Sequence, residues 1–401
     1  MRQSFLFLSL IILVLEVYIY RAFKTLVKNK TGRIVYLAIN AIAYITFFSA
    51  YFTLDKNNPD SSRLQLVSAI FFVFILSKLL ILVFLLVDDI LRLIQFGIQK
   101  FRKEKKHYPS RRKFLVVAGF GVFSALALAL LDGITFGKYR HWVRKVKISI
   151  PNLGSAFKGY KILQISDVHS GSFSSPEKLQ DAIDLINAQD ADLVLFTGDM
   201  VNTKAEEFRP FIELFKSIKS KDGKYSVLGN HDYGKYHDWP TPQDEINNLN
   251  QLIAYEKEAG FTMLRNENIS IDKNGEKLYL VGVENWGRHP FPQFGDLDKA
   301  TENLSPNDPK ILMSHDPTHF DEIVKKHPSN IYLTLSGHTH GMQFGLDLKN
   351  IRWSPSQYIY PKWADLYESE GKLLYVNRGF GVLGFPGRVG INPEITVFEI
   401  Q

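Results

Sequence analysis

Cysteine is absent from this chain of 401 residues, so neither a disulfide nor a thiolate metal ligand is available to it. The absence assigns no compartment, because an oxidising location permits disulfides without demanding them. Acidic side chains are scarce in the first part of the chain. Residues 1–150 hold 7 Asp and Glu against 23 Lys and Arg, a formal net of +16, whereas residues 151–401 hold 34 against 25, a net of −9. The overall charge of +7 is therefore a property of the first part alone. The remainder is acidic and repels a phosphate backbone, so no nucleic acid is expected as a partner.

Long apolar runs are confined to the first part. Crossing a hydrocarbon core takes roughly 20 residues of helix, and stretches near 4–20, 34–54, 65–87 and 114–131 meet or approach that length. We expect an all-α transmembrane domain of about four helices over residues 1–137, followed by a globular domain over 138–401. The loops after the first three spans carry five, two and nine Lys or Arg. That alternation puts the first and third loops in the cytoplasm and the globular domain outside. Lys138, Arg140, Arg144, Lys145 and Lys147, just after the fourth span, oppose this count without outweighing it.

SRRKFLVVAGFGVFSALALALLDG, Ser110–Gly133, would read at a chain start as a twin-arginine export signal. Placed internally, it serves as a span entering from the cytoplasm, and use of the export machinery and a chance pairing of arginines both stay open. DDILRLIQFGIQKFRKEKK, from Asp88, has apolar residues at helical spacing above a basic end. It is either a surface helix on anionic headgroups or an extension of the third span. Glu16 and Lys78 are ionisable groups inside spans, which makes their pair a functional hypothesis, with packing glue or snorkelling as the alternative.

After Ile148 short β-branched runs alternate with polar, helix-like segments, the pattern of an α/β sheet domain. Five of the runs end in metal-ligand residue types. YKILQIS leads into Asp167 and His169, ADLVLFTG into Asp199, and KYSVLG into Asn230, His231 and Asp232. PKILMS leads into His315 and Asp316, and IYLTLSG into His338 and His340. Residues just past the C-terminal ends of neighbouring strands gather in one crevice. Asp, Asn and imidazole together suit Mn, Fe, Zn, Co or Ni. An extended backbone would put Asp167 with His169, and His338 with His340, on a shared face. His107, His141, His237, His289, His319 and His327 stand alone and read as surface or packing residues.

The blocks ISDVH, GDMV, GNHD, SHDP and GHTHG, in this order, resemble the calcineurin-like metallophosphoesterase superfamily over residues 150–345. The likeness continues less sharply through VNRGFGVLGFPGRVGINPEITVFEI. It looks most like a bacterial membrane-tethered or twin-arginine-exported branch related to UDP-diacylglucosamine pyrophosphatases. The resemblance implies a four-layer αββα sandwich with two divalent metal ions at the strand ends. One would be held by Asp167, His169 and His340, the other by Asn230, His315 and His338, with Asp199 bridging. It also implies a metal-bridging hydroxide that attacks phosphorus in line. His231 would stabilise or protonate the leaving oxygen, and Asp232 would orient it, with a cap or turn as the bland alternative for Asp232.

Arg388, in GFPGRVG, is a candidate for a substrate phosphate or else a structural ion pair. Thr339 and Gly341 shape a turn, and Tyr233, Trp286 and Phe291 are candidates for the entrance. The expectation is a multi-pass hydrolase of a bacterial inner membrane, acting from the extracytoplasmic side on a phosphodiester, diphosphate or phosphomonoester, including a lipid-linked one. Its partners would be membrane lipids and a phosphorylated small molecule or lipid. The alternatives are a cytoplasm-facing UDP-2,3-diacylglucosamine-type pyrophosphatase and a non-catalytic phospholigand-binding pseudoenzyme.

Overall fold

A computed structural model describes residues 2–52, 62–102, 109–348 and 351–401. The chain divides into two compact units, Met1–Asp132 and Gly133–Gln401. The first holds α1 (Arg2–Leu26), α2 (Lys30–Phe52), α3 (Ser62–Arg102) and most of α4 (Pro109–Thr135). Three of the described helices, over Lys30–Ser49, Val67–Lys100 and Arg111–Thr135, are long and apolar enough to cross a membrane. At about 1.5 Å per residue, even the 20-residue stretch of α2 reaches about 30 Å. The first expected span, 4–20, is helical, but its side chains up to residue 10 lie outside the described residues. So do Lys56, Lys103, Lys105, Lys106 and His107 of the loops that were counted for orientation.

Helix α3 runs unbroken to Arg102, so the amphipathic stretch from Asp88 extends the third span rather than forming a separate surface helix. Arg111 of the arginine pair lies in the first turn of α4, 3.5 Å from Asp88, which also pairs with Arg92 at 2.8 Å. The packing of this unit is inside-out relative to a water-soluble one. Ile34, Ile39, Ile42, Ile45, Leu93 and Phe96 face outward. Inside, Lys78 donates to both Glu16 and Asn40, and the Tyr44 hydroxyl donates to Glu16 Oε1 at 2.5 Å. The pair proposed from the sequence thus exists, within a polar cluster that ties three helices together.

Among its described residues, the second unit contains fourteen strands. Those of its first half are β1 (Trp142–Ile148), β2 (Lys161–Ile165), β3 (Leu193–Phe196), β4 (Lys224–Ser226), β5 (Phe261–Met263), β6 (Glu267–Lys273) and β7 (Glu276–Gly282). The rest are β8 (Lys310–Met313), β9 (Leu333–Ser336), β10 (Leu346–Leu348), β11 (Ile351–Trp353), β12 (Asp365–Ser369), β13 (Lys372–Val376) and β14 (Glu394–Ile400). They build two six-stranded sheets, β1-β14-β2-β3-β4-β5 and β12-β13-β9-β8-β7-β6, with β10–β11 as a separate hairpin. β2 through β5 run parallel, as do β7, β8, β9 and β13.

Period-two alternation explains how the sheets stack. In β3, LVLF, Leu193 and Leu195 enter the core between the sheets, while Val194 and Phe196 enter the outer core. That outer core is completed by α5 (Gln180–Asn187), α6 (Ile212–Lys216) and α7 (Pro242–Glu258) through Ile183, Phe215 and Leu252. In β8, Ile311 and Met313 meet the inter-sheet core, and Leu312 meets α8 (Leu297–Ala300) and α9 (Thr318–Glu322) through Leu297 and Phe320. Each such side chain, fully buried, contributes about 1.5–3 kcal/mol. The order of layers is helix, sheet, sheet, helix, as the resemblance implied.

Candidate metal centre

The expected residues collect at one end of the two sheets, each just past a parallel strand. β2 delivers Asp167 and His169, β3 delivers Asp199, and β4 delivers Asn230. From the facing sheet, β8 delivers His315, and β9 delivers His338 and His340. Their backbone is not extended, contrary to the expectation for the two spaced pairs. Asp167 (φ 54°), His169 (47°), Asp199 (63°), His338 (71°) and His340 (51°) are all left-handed. Such residues cost about 1–3 kcal/mol each and persist only where surroundings hold them. Here the strand-end turns hold them: the Asp167 amide donates to the Gly198 carbonyl at 2.8 Å, and the His169 amide to that of Asp199 at 3.1 Å.

Asp167, His169 and His340 offer donor atoms within 4.8 Å of one another, and so do Asp199, His315 and His338. His169 Nε2 and His340 Nε2 face each other at 3.1 Å, and His340 Nε2 is 3.2 Å from Asp167 Oδ1. Asp199 sits between the clusters, with Oδ2 3.6 Å from His169 Nε2 and 3.1 Å from His315 Nε2. Asn230 completes the second cluster, its Oδ1 2.9 Å from His338 Nδ1. His315 Nδ1–H donates to the Thr197 carbonyl at 2.8 Å, which turns Nε2 inward. The His338 amide donates to the Asp167 carboxylate at 3.0 Å and stitches one sheet to the other. Glycine is required at Gly229 and Gly337, where a Cβ would fall 2.2 Å from a carboxylate oxygen of Asp199 and of Asp167.

The donor chemistry fits a pair of divalent cations. All seven side chains are buried or nearly so, and buried imidazole nitrogens facing each other beside two carboxylates lack a stable arrangement without positive charge. Burial works against ionisation of Asp199, yet His315 and His231 beside it hold its carboxyl well below the usual range. Burial likewise disfavours charged His315, yet the Asp199 carboxylate pushes it up to about 10. The cavity is thus electrostatically built to keep its carboxylates ionised.

Two expectations are corrected. Asp232 makes no hydrogen bond to His231. It accepts from the amides of Asp199, Met200 and Gly229 at 2.8 Å each, acting as the cap of two ligand-bearing turns. His231 is oriented instead by the Asn202 carbonyl, which accepts from Nδ1 at 2.7 Å. Arg388 has no ion pair among the described residues and lies beside the metal-ligand candidate His340. It is 2% exposed and donates to the carbonyls of Gly381 (2.8 Å) and Gly379 (3.1 Å), with Nη2 3.3 Å from His340 Nδ1. Proximity in sequence suggested that Asp232 orients His231; its hydrogen bonds to three amides favour the cap instead.

Of the three aromatic residues expected at the entrance, Phe291 meets His338 edge-on at 4.8 Å. Trp286 packs on His319, and Tyr233 is buried beside a separate cavity of about 370 Å³ that also contacts Arg265 and Phe294. Thr339 and Gly341 shape the turn, as expected, with the Gly341 amide donating to Thr339 Oγ1. The sequence reading missed Tyr236 and Tyr360. Asn230 Nδ2 donates to the Tyr236 hydroxyl at 2.9 Å, and the Tyr360 hydroxyl is 2.8 Å from His338 Nε2. Tyr236 lies four residues past GNHD and was within reach of inspection; Tyr360 sits in no motif.

Residues 1–138 match the family model described as "Probable Calcineurin-like phosphoesterase, transmembrane domain", and residues 160–342 match "Calcineurin-like phosphoesterase". The chain carries a calcineurin-like metallophosphoesterase domain behind an N-terminal transmembrane phosphoesterase domain. This metallophosphoesterase is a membrane protein with an N-terminal transmembrane domain. It is similar to "Uncharacterized metallophosphoesterase YkuE" of Bacillus subtilis (strain 168), at 29% identity over 73% of this chain and 98% of that protein. An "Uncharacterized metallophosphoesterase" of Helicobacter pylori (strain J99) is 27% identical over 90% of each chain. The "Transmembrane protein with metallophosphoesterase domain" of Bos taurus is 28% identical over 65% of this chain, a match that spans 57% of its length. Among solved structures, a dimetal phosphatase from Danio rerio is similar at a TM-score of 0.34 and 10% identity, over 56% of this chain and 88% of its own.

Proposed function

We propose that the metallophosphoesterase is a two-metal phosphoester hydrolase held at a membrane by residues 1–137, with residues 138–401 as its catalytic domain. The observation that carries this reading is the position of Asp199, whose carboxylate lies between two complete donor clusters. Asp167, His169 and His340 would hold one divalent cation and Asn230, His315 and His338 the other, with Asp199 placed beside both. Bound there, the cations would supply Lewis-acid charge for a phosphoryl oxygen and lower the pKa of a water. His231, its Nδ1 fixed by the Asn202 carbonyl, keeps Nε2 for the leaving oxygen, to which it gives a proton. The Tyr236 and Tyr360 hydroxyls, at Asn230 and His338, fix the orientation of those ligands.

The substrate class is a phosphodiester, diphosphate or phosphomonoester, and the membrane anchor favours one carried by a lipid. The count of basic loop residues supports an extracytoplasmic domain in a bacterial inner membrane. The deciding experiment is hydrolysis of bis-p-nitrophenyl phosphate by the full chain in detergent with added manganese. Activity that Asp199→Asn lowers by about 10³-fold or more supports the assignment, and full activity in that variant overturns it. For orientation, a phosphatase reporter fused after Gln401 is expected to be active outside the cell; an inactive one reverses the topology.

A further inference from the structure

Five residues separate His340 from a hairpin whose polarity is reversed. β10 and β11 pair antiparallel, with Leu346 opposite Trp353, Asp347 opposite Arg352 and Leu348 opposite Ile351. Alternation therefore puts Leu346, Leu348, Ile351 and Trp353 on one face and Asp347 and Arg352 on the other. In a hairpin packed on a water-soluble domain the apolar face turns inward. Here the apolar face turns out and Asp347, on the polar face, turns in, with Arg352 at the exposed margin. Asp347 pairs with Arg144 and with fully buried Arg378, whose Nε is 3.1 Å away, and Arg352 pairs with Asp365. The four apolar side chains are 51, 60, 57 and 37% exposed, in chain order. Tyr358 and Ile359, in the segment that follows, extend the ridge at 76 and 59%. Next in sequence is Tyr360, whose hydroxyl is 2.8 Å from His338. Both ends of the ridge thus run into the metal centre.

We propose that this ridge is a bilayer-contacting element, with the hydrocarbon and headgroup boundary of the chain's own membrane as its occupant. Two observations select lipid over a protein partner. The same chain carries helices long and apolar enough to cross a membrane, so a bilayer is always at hand. The ridge also pairs aliphatic side chains with Trp and Tyr, the composition that settles at a membrane interface. Contact there brings the metal centre to headgroup level, where a phosphoester on a lipid is exposed. The ion pairs beneath hold the hairpin as a fixed wedge.

The absence of cysteine allows a direct test on the full chain in nanodiscs of phosphatidylcholine and phosphatidylglycerol. Leu348→Cys and, independently, Tyr358→Cys are labelled with an environment-sensitive fluorophore, and Lys216→Cys, at an exposed helix position, serves as control. The two ridge labels are expected to emit to the blue of the control and to lose about half their intensity or more when the acyl chains are brominated, while the control is unaffected. Ridge labels that brominated lipid does not quench overturn the proposal. Water-like emission then means an open face, and blue-shifted emission means a protein cover such as a second copy. Neither readout depends on hydrolysis, so failure here is separable from failure of the two-metal assignment.

Discussion

Replacing Asp232 is expected to destabilise the catalytic unit, and replacing its neighbour His231 to silence it. Asp232 is completely buried and accepts three amide hydrogen bonds at 2.8 Å, from Asp199, Met200 and Gly229. Asp232→Ala leaves those three N–H groups without partners, and each buried orphan costs about 1–3 kcal/mol. The loss of about 3–9 kcal/mol is comparable to the whole stability of many domains, about 5–15 kcal/mol. For a unit of this size it corresponds to a melting temperature lower by about 10 °C or more. His231→Ala, by contrast, gives up one hydrogen bond from a half-buried ring, worth about 1 kcal/mol. That variant should melt near the parent while hydrolysis falls by about 10²–10⁴-fold. Intrinsic fluorescence melting of the full chain in detergent, with manganese and with chelator, reads the first effect; chromogenic turnover reads the second. An Asp232→Ala chain melting within about 2 °C of the parent would refute the claim that this carboxylate holds the Asp199 and Gly229 turns together.

Arg388→Ala takes the side-chain donor from the Gly381 carbonyl, while that of Gly379 keeps the Glu394 amide, so it should cost about 1–3 kcal/mol and weaken metal retention while KM stays unchanged; a raised KM with normal stability would return Arg388 to the substrate. Arg378→Met removes the buried cation of Asp365 and Glu394, which keep only the part-exposed Arg144 and, for Asp365, Arg352, and should destabilise by up to about 3–5 kcal/mol in denaturant titration. Glu256, buried on α7, is pushed well above the usual carboxylate range by burial and then by the charge of Asp232, against the Ser226 hydroxyl. Its folded pKa exceeds its unfolded one, so the stability it contributes is complete below pH about 4 and is lost as pH rises through the folded value. Glu256→Gln should therefore melt higher than the parent at pH 8 and alongside it at pH 4; equal melting at both would refute the assignment.

The five strand-end clusters were legible because a short, mostly apolar run followed by Asp, Asn or His is a local pattern. The alternation that splits Leu193 and Leu195 from Val194 and Phe196 is equally local, and so the layered architecture followed. What escaped was anything set by direction rather than identity. Nothing in the residue types of Asp167-x-His169 announces left-handed φ at both ends. That Asp232 turns back to three amides, and Arg388 to two carbonyls, depends on how β4 and the late glycine-rich segment meet neighbouring turns. Asn202 acts through a backbone carbonyl, which carries no sequence signature at all. The reversed hairpin was hidden differently: LDL and IRW alternate plainly, but only the pairing register and the ion pairs beneath reveal which face is out.

The donors are divided almost evenly along the chain. Asp167, His169, Asp199 and Asn230 precede β5, and His315, His338 and His340 follow β6. The last strand, β14, is inserted between β1 and β2. A break between β5 and β6 would leave two fragments, neither with a complete ligand set for either cation and the first with a gap in its sheet. Reassociation would have to thread β14 into that gap before Asp199 could face His315 again. Hydrolysis would then report the joining of the halves, making the seam between β5 and β6 a natural place to divide the protein into a complementing pair.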